Sequence, residues 1–411
     1  MAGLRPHDGR QLAVSAAAYA PWRLGPLSLR NRLIKSATNE GMADGARVTD
    51  RLIEFHRRMA AGGVGMTTLA YCAVSRDGRT FEDQVCLDAQ TLPRLRALTD
   101  AVHAEGAAAC AQITHGGAFC FLPQLEERRY PLSARGGLNP PGMMIGRWFK
   151  RAATAADLEH LTTQFVNAAR LAREAGFDAL EIHMGHGYLL SQFLSPLYNQ
   201  EPDARARARF PRQVLEAVLD AVGNDLAVLC KLSVVEGHRR GNSIEDMIQI
   251  CRELEQAGAH QLVLSAGMNV EAPWTIFGNR LPVASMTAAA KGLFRPIAAL
   301  MALRQPRKPF QPLYLMPWSS RIRAAVDIPL AYLGGVTSPD DVTQVLAAGF
   351  DSIALGRVLI HDPDLPRHWA AGEQAASGCT ACNLCVASMY SARGTHCALT
   401  DQPVPAGFSH A

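Results

Sequence analysis

No stretch of eighteen or more apolar residues occurs in this 411-residue sequence, so no segment is expected to cross a bilayer as a helix. Charge is scarce as well. Asp, Glu, Lys and Arg make up 19% of the chain and the formal net charge is +4, which leaves no strongly basic surface for nucleic acid. With 48% hydrophobic residues, the chain is one that buries a large core; its length suits one large barrel with an appendage, or two ordinary domains. A disulfide framework is lacking too. Four of the ten cysteines cluster near the end at metal-ligand spacing, which agrees with a reducing compartment. Arg5 and Arg10 precede a short, weakly apolar segment that imitates a leader, but Asp8 interrupts it and the chain runs straight on into structured sequence. A cytoplasmic protein is expected.

What is present is organised around one run, Glu181-Ile-His-Met-Gly-His-Gly-Tyr-Leu-Leu-Ser-Gln-Phe-Leu-Ser-Pro196. Just before it, Gly176 suits the left-handed cap that closes a helix, and Phe177 to Ile182 reads as a short buried strand. The strand ends near His183, and His186 and Tyr188 follow on a loop. In a barrel of alternating strands and helices, the carboxyl ends of the strands face the active site. Two imidazoles and a phenol would then converge on one mouth. The competing reading is a pair of histidines satisfied in a core, with Tyr188 buried against a backbone partner.

Around this run the chain alternates. Strands are expected over 31–38, 64–70, 108–115, 227–233, 261–266, 330–335 and 352–357, and helices over 49–61, 92–105, 157–175, 214–222 and 243–257. That pattern predicts a (β/α)8 TIM barrel over residues 1–371, with a short Cys-rich C-terminal extension over 372–411. Residues 119–150, rich in Pro and Gly, read as a long loop lying over the mouth as a substrate lid. Gly267 to Lys308, with Trp274, Phe277 and Arg280, is expected to shape the substrate pocket. Arg205, Arg207 and Arg209 read as a solvated charged face without a role. In the extension, Cys379, Cys382, Cys385 and Cys397 have the spacing of a [4Fe–4S] or tetrahedral zinc site. A purely structural metal, or none, is the alternative there.

The run His-x-x-His-Gly-Tyr-Leu-Leu-x-Gln-Phe-Leu-Ser-Pro resembles the fourth-strand motif of the Old Yellow Enzyme family of FMN-dependent ene-reductases. The resemblance extends from about Ala20 to Pro366, and takes in the barrel part of bacterial 2,4-dienoyl-CoA reductase and trimethylamine dehydrogenase. It implies FMN on Ser36, Ala37, Thr38, Gln112 and Lys231, with its phosphate at Gly334, Gly335, Gly356 and Arg357. Asn39 stands near a flavin-tuning position. Gln112 would bond the flavin pyrimidine, and Lys231 would stabilise negative charge on the reduced ring. Departures are visible: Ala37 replaces a frequent proline, and Ala118 replaces an arginine after His115. The implied chemistry takes hydride from NAD(P)H and gives it to an electron-poor alkene. His183 and His186 would hold the carbonyl oxygen and Tyr188 would supply the proton. Other readings compete: a flavin-dependent amine dehydrogenase, a Schiff-base lyase on Lys231, or a non-catalytic barrel whose tail holds a partner. A homo-oligomer and an electron-transfer partner protein are further expectations. The cysteine tail looks like the iron–sulfur motif of the same two relatives.

Overall fold

The computed structural model describes residues 16–400 apart from 144, 284, 286–304, 306–308 and 390. The leader-like start with Arg5 and Arg10, most of 284–308 and the end of the extension lie outside the described residues. Eight parallel strands close into a barrel: β1 (Leu33–Lys35), β2 (Met66–Ala73), β3 (Ala108–Thr114), β4 (Ala179–Met184), β5 (Ala227–Ser233), β6 (Gln261–Ser265), β7 (Leu330–Tyr332) and β8 (Ser352–Leu355). Each pairs with its neighbours in the chain, and β8 closes onto β1 through Leu355 and Lys35. The helices α1 (Asp50–Ala61), α2 (Leu92–Ala104), α3 (Ala155–Glu174), α4 (Ala204–Val222), α5 (Ile244–Gln256), α6 (Met316–Arg323), α7 (Pro339–Ala347) and α8 (Leu365–Ala371) follow the strands in turn. The expected TIM barrel is the fold observed.

Side chains two apart on a strand share a face, and the barrel uses this to change chemistry along its axis. Its amino-terminal end is closed by a hairpin, Trp22–Leu24 against Leu27–Leu29, whose Leu24 and Leu29 pack on Ile34, Met66, Cys110, Ala179, Leu229 and Val263. Two residues further on, all six positions become polar: Cys110 gives way to Gln112, Ala179 to Glu181, Leu229 to Lys231, Ile34 to Ser36, Met66 to Thr68 and Val263 to Ser265. The apolar plug is therefore the floor on which a polar layer sits. The outer faces of the strands pack on the helices in one continuous core. Capping sets where several helices start. Thr154 with Asp157, Ser243 with Asp246 and Ser338 with Asp341 are reciprocal capping boxes, each contributing about 1 kcal/mol.

Four expectations need correction. Residues 119–150 hold structure: Leu132–Ser133, Gly137–Leu138 and Phe149–Ala152 form a small sheet. Helix α4 starts at Ala204, ten residues earlier than position 214, and carries Pro211 within it. Arg207 is not solvated but buried, donating to Leu194 O, Asn242 and Asp246. Its guanidinium pins the start of α4 to the loop that follows the central motif. Strands β1, β7 and β8 are also shorter than expected, so Ser36–Thr38 and Gly334–Gly335 lie in loops beyond the strand ends, and Gly356 caps a short helix that Arg357 begins.

Candidate active site

The polar layer is one connected network. Gln112 Nε2 donates to Glu181 Oε1 at 2.6 Å, the same oxygen lies 3.5 Å from Lys231 Nζ, and Lys231 donates to Ser36 Oγ at 3.1 Å. All four side chains are buried. Three of the expected cofactor residues are thus brought together, and Glu181 is the group that joins them. Period-two alternation from His183 was the signal that could have found it. Lys231 is paired with a hydroxyl and a carboxylate, an arrangement that suits a charged lysine better than a free amine nucleophile. Thr38 Oγ1, beyond β1, and Thr114 Oγ1, on β3, are buried with no partner among the described residues. Buried polar atoms normally have partners, so hydroxyls left over at the carboxyl end of the barrel fit a bound group rich in donors and acceptors, as FMN is.

Above this layer stand the two histidines and the tyrosine. The rings of His183 and His186 lie edge to face at 4.8 Å, and Tyr188 is 4.7 Å from His183. His183 Nδ1 accepts the Gly185 amide at 3.2 Å, so the proton of its neutral ring sits on Nε2. Burial first, then His186 and Lys231, push its pKa well below the usual 6.5. It is a neutral N–H donor at any ordinary pH. His186 has a left-handed backbone (φ 60°), and its Nε2 is 2.8 Å from Ser265 Oγ. Burial, with Lys231 adding to it, brings its pKa down to about 3. Its carbonyl accepts Asn269 N at 3.0 Å, which ties the central motif to the loop after β6.

Sequence reading missed the wall around Tyr188. Tyr71 is 5.1 Å away and Phe119 5.7 Å, with Phe81 and Ala37 packed on the same cluster. A register shift in β2 between Leu69 and Cys72 turns Tyr71 toward it, the re-aiming that bulges produce. No local pattern announced that shift.

The glycines and Arg357 lie elsewhere on the rim. Gly334 and Gly335 pack against Leu313–Leu315, and at φ 83° Gly335 occupies the left-handed region. Thr38 is the side chain nearest the Cα hydrogen face of Gly356, so the ends of β1 and β8 meet. The Arg357 guanidinium donates to Asn383 Oδ1 at 2.5 Å and to Phe277 O at 2.9 Å, so it clasps the cysteine loop and the segment after β6. Cys385 lies in the electrostatic field of Cys379, Cys382 and Cys397. The donor set, four thiols in a short loop, fits iron–sulfur or zinc chemistry. Among the described residues, however, no three His, Cys, Asp or Glu side chains already converge on one point. The same residues contain no helix long and apolar enough to cross a membrane.

Comparison with known proteins places this geometry. Residues 18–275 match the NADH:flavin oxidoreductase / NADH oxidase family. The chain is 37% identical over 396 residues to 4,4'-dithiodibutanoate disulfide reductase of Rhodococcus erythropolis, covering 95% of this chain and 96% of that one. It is 30% identical over 378 residues to NADH oxidase of Thermoanaerobacter brockii, covering 89% of this chain and 52% of that one, about half its length. The old yellow enzyme homologue from Zymomonas mobilis superposes with a TM-score of 0.67 at 21% identity, over 88% of this chain and 95% of that one, a likeness of fold. With that coverage and identity, the chain belongs to the NADH:flavin oxidoreductase / NADH oxidase family and is an NAD(P)H:flavin oxidoreductase.

Proposed function

We propose that this flavin oxidoreductase reduces an electron-poor alkene conjugated to a carbonyl, with NAD(P)H as the source of hydride. The observation that carries the reading is the pairing of a tautomer-fixed donor, His183 Nε2–H, with the phenol of Tyr188, the two rings lying 4.7 Å apart centre to centre. FMN, which family membership implies, supplies an acceptor for the nicotinamide hydride and a donor toward the alkene β carbon. Ser36, Ala37, Thr38, Gln112 and Lys231 would hold the ring system, with Glu181 fixing the orientation of Gln112 and Lys231. Gly334, Gly335, Gly356 and Arg357 are assigned to its phosphate end. His183 and His186 hold the substrate carbonyl, where negative charge develops, and neutral imidazoles do so without repelling Lys231. Tyr188 gives its proton to the α carbon. The wall of Tyr71, Phe81 and Phe119 keeps water from that proton. Cys379, Cys382, Cys385 and Cys397 would hold iron–sulfur or zinc in an extension that begins after residue 371, where α8 ends.

A second reading has one observation in its favour. The relative at 37% identity over nearly its full length is named for reducing an organic disulfide. In that reaction two electrons break the S–S bond and two protons complete two thiols; Tyr188 is placed to protonate a leaving thiolate, toward which the neutral His183 donates a hydrogen bond. Anaerobic stopped-flow oxidation of the NADH-reduced protein tests both readings. Fast reoxidation by 2-cyclohexenone supports the first, fast reoxidation by 4,4'-dithiodibutanoate supports the second, and no reaction with either removes both. Anaerobic metal analysis decides the tail: iron with sulfide, zinc alone, or neither, the last refuting a metal centre.

A further inference from the structure

We propose that Glu40 is a positioning residue of the active site, holding the turn after β1 and the aromatic wall at Tyr71 in register, with Lys35 as its charge partner. Both side chains are buried away from solvent. Lys35 Nζ donates to Glu40 Oε1 at 2.6 Å and to Thr68 O at 3.2 Å. The second carboxylate oxygen accepts the amide of Ala70, the residue before Tyr71, at 3.2 Å. His56 stands 3.5 Å from Oε1 and is itself fixed by Thr67 Oγ1 at 2.8 Å. A carboxylate this far from water is stable only with its charge matched and its lone pairs filled. Here both conditions are met by groups on β1, β2 and α1.

What those ties hold is the reason for assigning a function to them. Lys35 and Glu40 are the two ends of a turn; Ser36, Ala37 and Thr38 between them face the site, and Asn39 turns to Met389 of the extension. Ser36 accepts from Lys231, Ala37 packs on the Tyr71–Tyr188 cluster, and Thr38 lies against Gly356. The one carboxylate therefore closes the turn expected to lie along FMN and, through Ala70, fixes the residue beside Tyr71. The groups Glu40 holds are Lys35 and the Ala70 amide, and its action on Tyr188 and His183 runs through the turn and the wall that these carry. The extension uses the same turn: Thr395 donates through N to Glu40 O at 2.7 Å and through Oγ1 to Asn39 O at 2.6 Å. The cysteine loop is thus anchored on a segment whose shape Glu40 sets.

The inference rests on the placement of FMN against Ser36–Thr38, and the test separates the two. Glu40→Gln keeps the shape but leaves the Lys35 ammonium buried without a counter-charge. Lys35→Met in the same chain removes that charge, while the new amide can still accept from Ala70. The full chain is purified in each form, its FMN content is measured, and the two half-reactions are followed separately with NADH and an enone. We expect Glu40→Gln to retain FMN and be reduced normally, but to react with the enone ten- to a hundredfold more slowly, the size of effect a slightly displaced wall produces. The double variant should return to within about threefold of the wild type, as coupled neighbours do when the charge is balanced again. Should Glu40→Gln not fold, Glu40→Asp keeps the charge but cannot reach both partners, and should show the same selective slowing. Unchanged enone kinetics in the folded variants, with only a lower melting temperature, would overturn the positioning role. Wild-type protein that binds no FMN would take away the placement itself.

Discussion

His183→Asn isolates the donor on which the proposed chemistry depends. Asparagine puts an amide oxygen where Nδ1 now accepts the Gly185 amide at 3.2 Å, so the backbone after β4 keeps its bond. It has no atom at the reach of Nε2, so the donor to the substrate is lost. His183→Ala would be less clean: it strands the Gly185 amide as well, at about 1–3 kcal/mol. Losing one preorganised donor to a developing oxyanion costs about 3 kcal/mol, on the order of a hundredfold in rate. Because the wild-type ring is held neutral by burial, the loss is that of a dipole and not of a charge, and it should be the same across neutral pH. In stopped-flow measurements the enone half-reaction should fall on the order of a hundredfold, while reduction of the flavin by NADH stays within about threefold. Equal slowing of both half-reactions, or no slowing of the enone step, would refute the assignment of His183 as the carbonyl donor.

Other consequences can be measured alongside. Tyr188→Phe should leave binding of enolate-mimicking phenols and flavin reduction intact but slow the oxidative step for enones needing an α proton; an unaffected step for several enones means another acid acts. Acid should destabilise the fold early, because His115 and His186 are depressed to about 3 and His183 is also well below 6.5, in each case chiefly by burial. Each takes up a proton near pH 6.5 in the unfolded chain and not in the folded one, so this stability is present above pH 6.5 and lost as pH falls toward 3. The slope approaches roughly 4 kcal/mol per pH unit for the three together, and a urea midpoint unchanged between pH 7 and pH 5 would contradict it. Arg207→Met should cost about 1–3 kcal/mol, since it removes a buried guanidinium that bonds Leu194 O, Asn242 and Asp246 together, although Leu194 O keeps Asn242 Nδ2 and Asp246 keeps its Ser243 cap. Chemical denaturation measures that directly, and a loss below about 1 kcal/mol would return Arg207 to the surface role its neighbours have.

Local pattern alone determined a good deal. The strand Ala227–Ser233 was legible to the residue, because a mostly apolar run broken only by Lys231 marks a strand buried on both faces and its ends are marked by a change of composition. The starts of α1, α3 and α5 were legible within about two residues because capping chemistry lies within four positions of itself. The order His183, His186, Tyr188 announced a mouth because short spacing at a strand end leaves little else for those side chains to face. The tertiary structure decided what lies between distant segments. Glu181 binds Gln112 across 69 positions, Arg357 turns to Asn383 and Phe277, and Arg207 is buried although Arg205 and Arg209 are exposed. Pro211 hid the first ten residues of α4, since a proline argues against a helix interior that packing against neighbouring elements enforces. Which partner a buried charge finds depends on where eight strands bring it, and no window of sequence contains that.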